Sequence, residues 1–256
     1  MPRRLGNPSG LAVDPMAQRT APRLIAGLCL VLALMSVAAV HRSVMRARGD
    51  PDVFALVDFS RTVFEAQART GARYPAIVGD SIAAQAAYQS VCGQQVVVAA
   101  VAGASLRHAL ADILPLLAYH RPSSLLIAIG VNDSKRLLVT PRAQRLATFE
   151  AEYRALIAKA QALTSAVAVV LIPPVGKDDW FGDVAFEAAL IAAYNEIITR
   201  LATDARVPVV ALAALAGPDG FARAGTTVDG VHPSVYGYGI WMSVIDQAWS
   251  RIKVCR

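Results

Sequence analysis

The 256-residue chain contains only three cysteines (Cys29, Cys92, Cys255) and four histidines (His41, His108, His120, His232). So few cysteines exclude a disulfide-stapled scaffold. No Cys/His cluster has metal-ligand spacing, so neither a metal nor another cofactor is expected. Charge is sparse as well, at 17% of residues. The net charge of +6 is local, because residues 1–50 hold seven arginines against two aspartates and the remainder holds 18 basic against 17 acidic residues. The basic excess therefore reports the flanks of one apolar segment and gives no sign of a nucleic-acid partner. Internal repeats and low-complexity tracts are lacking too.

What the chain has in excess is apolar sequence, 55% of residues. Leu24–Val40, LIAGLCLVLALMSVAAV, runs 17 residues without a charge between Arg23 and His41-Arg42. At ~1.5 Å per residue it spans about 26 Å, the length of a short membrane helix. It is longer than a usual signal-peptide core and follows a 23-residue basic leader read as disordered, which favours an anchor. Small residues at Ser36–Ala39 keep cleavage near residue 39 open. The expectation is therefore a membrane-anchored protein with its folded part outside the cytoplasm, in a bacterial periplasm or envelope, or a secreted one if cleaved. Residues 41–73 are expected to form a juxtamembrane stem, with a helix over 52–70 opened by Asp50-Pro51-Asp52 and stopped by Gly71.

From Tyr74 onward the pattern alternates. Apolar runs of strand length, at Ala76–Val78, Val96–Val101, Leu125–Ile129, Ala166–Ile172 and Val207–Leu212, are separated by helical stretches at Ile82–Ser90, Ser105–Tyr119, Pro141–Leu163 and Val184–Asp204, with a last helix near Ser234–Lys253. Continuous apolar strands alternating with helices predict an α/β domain over 74–256: three α/β/α layers around a central five-stranded parallel sheet. In such sheets ligands bind beyond the carboxyl ends of the strands. Gly79-Asp80-Ser81, Ala102-Gly103-Ala104, Gly130-Val131-Asn132-Asp133 and the loop Asp229–His232 all fall at that edge.

Each of these residues has an ordinary reading. Ser81 is placed to cap a helix, Gly103 and Asn132 to make turns, and Asp229 to open a helix beside a polar histidine. Each also has a chemical reading. A serine at a strand-to-helix turn has its own N–H and the helix dipole facing a reacting carbonyl. An acid three residues before His232 can hold the imidazole's tautomer and leave Nε2 as a base. Gly103 and Asn132 offer uncharged N–H donors. The G-x-S-x-G elbow is missing around Ser81, which disfavours the α/β-hydrolases.

Taken in order, Gly79-Asp80-Ser81, VVVAAVAGASL (Val96–Leu106), IAIGVND (Ile127–Asp133) and DGVHPSVYGYGIW (Asp229–Trp241) resemble the four blocks of the SGNH hydrolase, or GDSL esterase/lipase, superfamily. The resemblance covers Tyr74 to the C-terminus and implies a flavodoxin-like fold. It makes Ser81 the nucleophile, His232 the base, Asp229 its orienting acid, and Ser81, Gly103 and Asn132 the oxyanion donors. Asp80 takes a structural role between loops. The implied activity is hydrolysis of a carboxylic ester, on a short acyl or acetyl group of a carbohydrate or small alcohol. A lysophospholipase, a thioesterase or an inactive membrane-tethered glycan-binding subunit are the alternatives. Partners are then a glycan or lipid ester and a membrane; oligomeric state stays open. In PPVGKDDWFGD, Trp180 and Phe181 either line the substrate or pack the loop, and Lys135-Arg136 face an anionic substrate or solvent. Cys92 and Cys255, read as the ends of the first and last helices, are candidates for a disulfide in an oxidising compartment.

Overall fold

The computed structural model describes residues 74–252, apart from 87, 89, 120, 138 and 180. The chain divides into two units, Met1–Arg46 and Ala47–Arg256, and all described residues belong to the second. The leader, the apolar run at 24–40, the stem helix, Trp180, His120 and Cys255 lie outside the described residues. No described helix is long and apolar enough to cross a membrane.

Five parallel strands form the central sheet in the order β4-β1-β5-β6-β7: β1 (Pro75–Gly79), β4 (Val97–Ala100), β5 (Ser124–Ala128), β6 (Val167–Val170) and β7 (Val209–Val210). β1 lies between β4 and β5, pairing Val78 with Ala99 on one side and Ile127 on the other, and all five of its residues are buried. Burial on both faces is why these strands read as continuous apolar runs rather than alternating ones. β7 is shorter than the apolar run suggested. Val207 N–H instead donates to Ala202 O at the end of the preceding helix, and Pro208 has no N–H to give, although its carbonyl accepts from Val169.

The connections are α1 (Ser81–Gln85); α2 (Leu106–His108), which runs through a π-helical turn (Ala109–Ile113) into α3 (Leu114–Tyr119); α4 (Arg142–Leu163); α5 (Ala188–Asp204); and α6 (Val235–Arg251). Trp241, Ile245, Ala248 and Trp249 are the buried face of α6, at the i, i+4, i+7, i+8 spacing of a helix against a core.

The first helix departs from expectation. It stops at Gln85 rather than Ser90, and a small antiparallel hairpin follows: β2 (Ser90–Val91) and β3 (Gln94–Gln95). Its two turn residues, Cys92 at φ 49° and Gly93 at φ 74°, both have left-handed backbone, as a tight hairpin turn requires. Cys92 therefore sits at a hairpin tip and does not end a helix. It is disulfide-bonded.

Candidate active site

At the carboxyl edge of the sheet, Asp80 follows β1 and Ser81 opens α1. Asp80 is the helix cap: its Oδ1 accepts from Ile82 N–H at 3.0 Å. The Ser81 hydroxyl meets His232 Nε2 at 3.0 Å. On the other side of the ring, His232 Nδ1 lies 2.6 Å from Asp229 Oδ2, while Asp229 Oδ1 accepts from the backbone N–H groups of Val231 (3.0 Å) and His232 (2.8 Å). Burial alone would raise the Asp229 carboxyl, but these bonds to His232 and Val231 outweigh it and hold the group below the ordinary carboxylate value. The loop thus presents a fixed carboxylate on Nδ1 and directs Nε2 at Ser81.

Gly103 follows β4 with φ 80°, and Asn132 follows β5 in a 3-10 turn (Val131–Ser134). Asn132 is buried, and its Nδ2 donates to Ala104 O at 2.9 Å, which fixes the amide plane and leaves a second N–H on the same nitrogen. Asp80 is almost completely buried. Burial pushes its carboxyl up to about 6, while bonds from the amides of Ile82, Gly130 and Val131 pull the other way. It ties the turn after β1 to the turn after β5, the structural role expected of it. Asp133 similarly accepts from Leu106 N–H at 3.2 and 3.3 Å, and loss of water around its carboxyl pushes it up to about 8. His108, on α2, accepts from Ser105 N–H at 3.1 Å and belongs to that helix start.

Two supports were not visible in the sequence. Buried Arg145, on α4, donates to Asp133 O (3.0 Å) and Lys135 O (3.1 Å) and pairs with Glu187 Oε2 at 3.3 Å. Tyr194, on α5, adds a bond to Asp133 O at 3.2 Å, so the Asn132 loop is clamped from behind. An arginine on a long helix otherwise reads as a solvated charge. The second support is a meeting of loops. Gly176 N–H donates to Gly230 O at 2.6 Å, and a Cβ on Gly230 would stand 2.8 Å from the backbone of Gly182. The β6–α5 loop therefore rests directly on the Asp229–His232 loop, and it brings Phe181 onto His232, with ring centroids 6.0 Å apart and planes 19° from parallel.

The family profile described as GDSL-like lipase/acylhydrolase matches residues 43–240. The chain belongs to that family. By that membership it is an ester-bond hydrolase. Solved structures agree on the fold. An acetyl xylan esterase is 21% identical with a TM-score of 0.57, covering 70% of this chain and 98% of its own. A GDSL-like lipase from Bacteroides thetaiotaomicron is 17% identical at 0.56 (75% and 97%), and a Streptococcus pneumonia protein named for platelet activating factor is 18% identical at 0.60 (84% and 98%). Comparison with curated proteins finds none that matches the chain.

In this GDSL-like chain the expected residues Ser81, Asp229 and His232 converge, and Gly103 and Asn132 stand on the neighbouring strand ends. Phe181 joins them; Trp180 lies outside the described residues. An apolar cavity of about 280 Å³ opens at the ends of β6 and β7, between Ile172, Val175, Ile191 and Leu212. The amide of Asn195 in its wall is satisfied by the backbone of Ile172 on both sides, and the cavity shares no residue with the Ser81–His232 pair.

Proposed function

We propose that the chain is a serine esterase that transfers the acyl group of a carboxylic ester to Ser81 and then to water. The observation that carries this reading is the 3.0 Å approach of His232 Nε2 to Ser81 Oγ. Ser81 Oγ attacks the ester carbonyl carbon as its proton passes to His232 Nε2. Collapse of the tetrahedral adduct breaks the bond to the alcohol oxygen, which takes that proton and leaves. Water repeats the sequence on the acyl-Ser81, releasing the acid and restoring the hydroxyl. Asp229 keeps the ring's tautomer and balances the imidazolium. The backbone N–H groups of Ser81 and Gly103 and the free N–H of Asn132 receive the developing oxyanion. No step calls for a metal or cofactor.

The acyl group in this reading is short, an acetyl or similar group on a carbohydrate or small alcohol. It draws on the likeness to an acetyl xylan esterase, which is one of fold. The place of action is outside the cytoplasm, held by the apolar run at 24–40 or released by cleavage near 39. Support comes from the length of that run and from the disulfide at Cys92, a bond that persists in oxidising compartments. Labelling with a fluorophosphonate probe tests the nucleophile: one adduct is expected, mapped to Ser81 and absent from Ser81→Ala. A wild-type protein that stays unlabelled, or a variant that still labels, would sink the reading.

A further inference from the structure

Among the described residues, six large apolar side chains stand exposed: Leu137, Val139, Val184, Val228, Val235 and Tyr236. Scattered singly, such residues need no explanation. These are not scattered. Leu137 and Val139 lie on the loop after β5 that carries Asn132, and Val184 on the loop after β6 that carries Phe181. Lys135 and Phe186 form an antiparallel bridge, and Arg136 N–H donates to Ala185 O at 2.9 Å, so the loops that carry Leu137 and Val184 are joined next to those residues. Val228, Val235 and Tyr236 flank the Asp229–His232 loop, whose ends are joined by a second antiparallel bridge, Thr227 to Pro233. Two apolar lips therefore border the two loops that meet at His232.

We infer that these lips seat the catalytic edge on a lipid–water interface, so that the ester presented to Ser81 is one displayed at a membrane surface. The inference rests on the esterase reading of Ser81 and on the membrane reading of residues 24–40, and it replaces the carbohydrate or small-alcohol part of that reading with an alcohol held in the membrane. Three observations choose a lipid surface over another occupant. Five of these six described side chains are aliphatic, and Phe181 on the same loop as Val184 is half-buried against His232. Val139 and Val235 are 91% and 94% exposed, protruding tips suited to sinking among headgroups rather than walls of a groove. Exposed Arg136 stands on the first lip beside Leu137, and its Nε donates to Asp183 O at 2.7 Å, which fixes a cation at that lip. Only 33 residues separate Val40 from Tyr74, so on the membrane reading of 24–40 the domain is tethered to a bilayer and meets it at a high effective concentration.

The test uses the full chain reconstituted in vesicles of phosphatidylethanolamine and phosphatidylglycerol doped with a phospholipid bearing a headgroup-proximal diazirine. Wild type is compared with the triple variant Leu137→Ser, Val139→Ser, Val235→Ser on two acetyl esters: p-nitrophenyl acetate in the water phase and hexadecyl acetate in the vesicle. The expected result is photo-crosslinks at 137–139 and 235–236 in wild type that disappear in the variant. Turnover of p-nitrophenyl acetate should be retained within about twofold while that of hexadecyl acetate falls about tenfold or more. Crosslinks confined to residues 24–40, or an equal response of both esters, would overturn the inference. So would a wild type that does not outpace the variant on hexadecyl acetate. A variant that changes oligomeric state or loses acetylated xylan hydrolysis instead would reassign the lips to a second copy or a glycan and overturn it too. Crosslinks at the lips in a protein that hydrolyses neither ester would sink the esterase reading and leave the docking surface standing.

Discussion

Asp80 and Ser81 are chain neighbours that divide two tasks between them. Asp80 caps the helix by accepting from Ile82 N–H, and the Ser81 hydroxyl is thereby left to His232, 3.0 Å away. A serine at this turn that capped its own helix would spend its oxygen on the backbone. Ser81→Ala is accordingly expected to lower hydrolysis of p-nitrophenyl acetate by about a thousandfold or more. Circular dichroism and thermal unfolding should be nearly unchanged, since the cap remains. Turnover above about a tenth of wild type would exclude Ser81 as the nucleophile.

Asp229→Asn keeps the shape of the loop and removes the charge facing His232 Nδ1. A neutral amide there can select the wrong tautomer, so kcat is expected to fall about 10²–10⁴-fold while KM changes little. Steady-state kinetics on one soluble ester decide it. A loss expressed wholly in KM would mean that Asp229 binds substrate instead.

Gly230 has φ 91°, and a Cβ there would stand 2.6 Å from Asp179 Cβ and 2.8 Å from Gly182. Gly230→Ala must push the histidine loop off the loop beneath it, with an expected fall in kcat of about tenfold to a hundredfold. Gly220→Ala is the control: its φ of 83° brings the same backbone strain, but nothing stands within 4 Å of the new Cβ. Equal activity losses in the two would show that strain, rather than loop contact, is responsible.

Arg145→Met takes the guanidinium bonds from the carbonyls of Asp133, which keeps Tyr194, and Lys135, behind the Asn132 loop. Urea unfolding should show a loss of about 2–3 kcal/mol, and kcat should fall with it as the loop loosens. Stability within about 0.5 kcal/mol of wild type would remove the clamp from the account.

Loss of water pushes Asp133 up to about 8, and burial pushes Asp80 up to about 6, both above the ~3.9 of an unfolded aspartate. Between about pH 4 and 8 the native state therefore holds protons that the unfolded chain has released. The stability they contribute is fully present below about pH 4 and is lost as pH rises toward 8. Asp133→Asn keeps an acceptor for Leu106 N–H and removes most of this dependence. Wild type should lose stability relative to the variant as pH is raised across that window, read from urea midpoints; a constant difference would refute it.

Much of this was legible in the sequence, and the reasons differ by element. β1, β4, β5 and β6 announce themselves because strands buried on both faces must be apolar throughout. Each loop residue was ordinary alone; they stood out together because Gly79-Asp80-Ser81, Gly103 and Asn132 follow such strands, Asp229-x-x-His232 precedes the last helix, and the four stretches in order resemble one family's blocks. The β2–β3 hairpin was hidden, since two-residue strands carry no periodicity and Cys92-Gly93 is not a usual turn pair. The exchange of roles between Asp80 and Ser81 was hidden as well, because both residue types cap helices. Arg145, Tyr194 and the contact of Gly176 with Gly230 depend on which distant segments touch, and no local pattern encodes that.

The order of the parts along the chain has a consequence for biosynthesis. The last strand ends at Val210, and the acid and base come only at Asp229 and His232, on the loop that α6 follows. A nascent chain thus contains all five strands, Ser81 and Asn132 before it contains Asp229 and His232. On the esterase reading, the segment that brings Asp229 and His232 is the last part of the site to be synthesised, after every strand of the sheet.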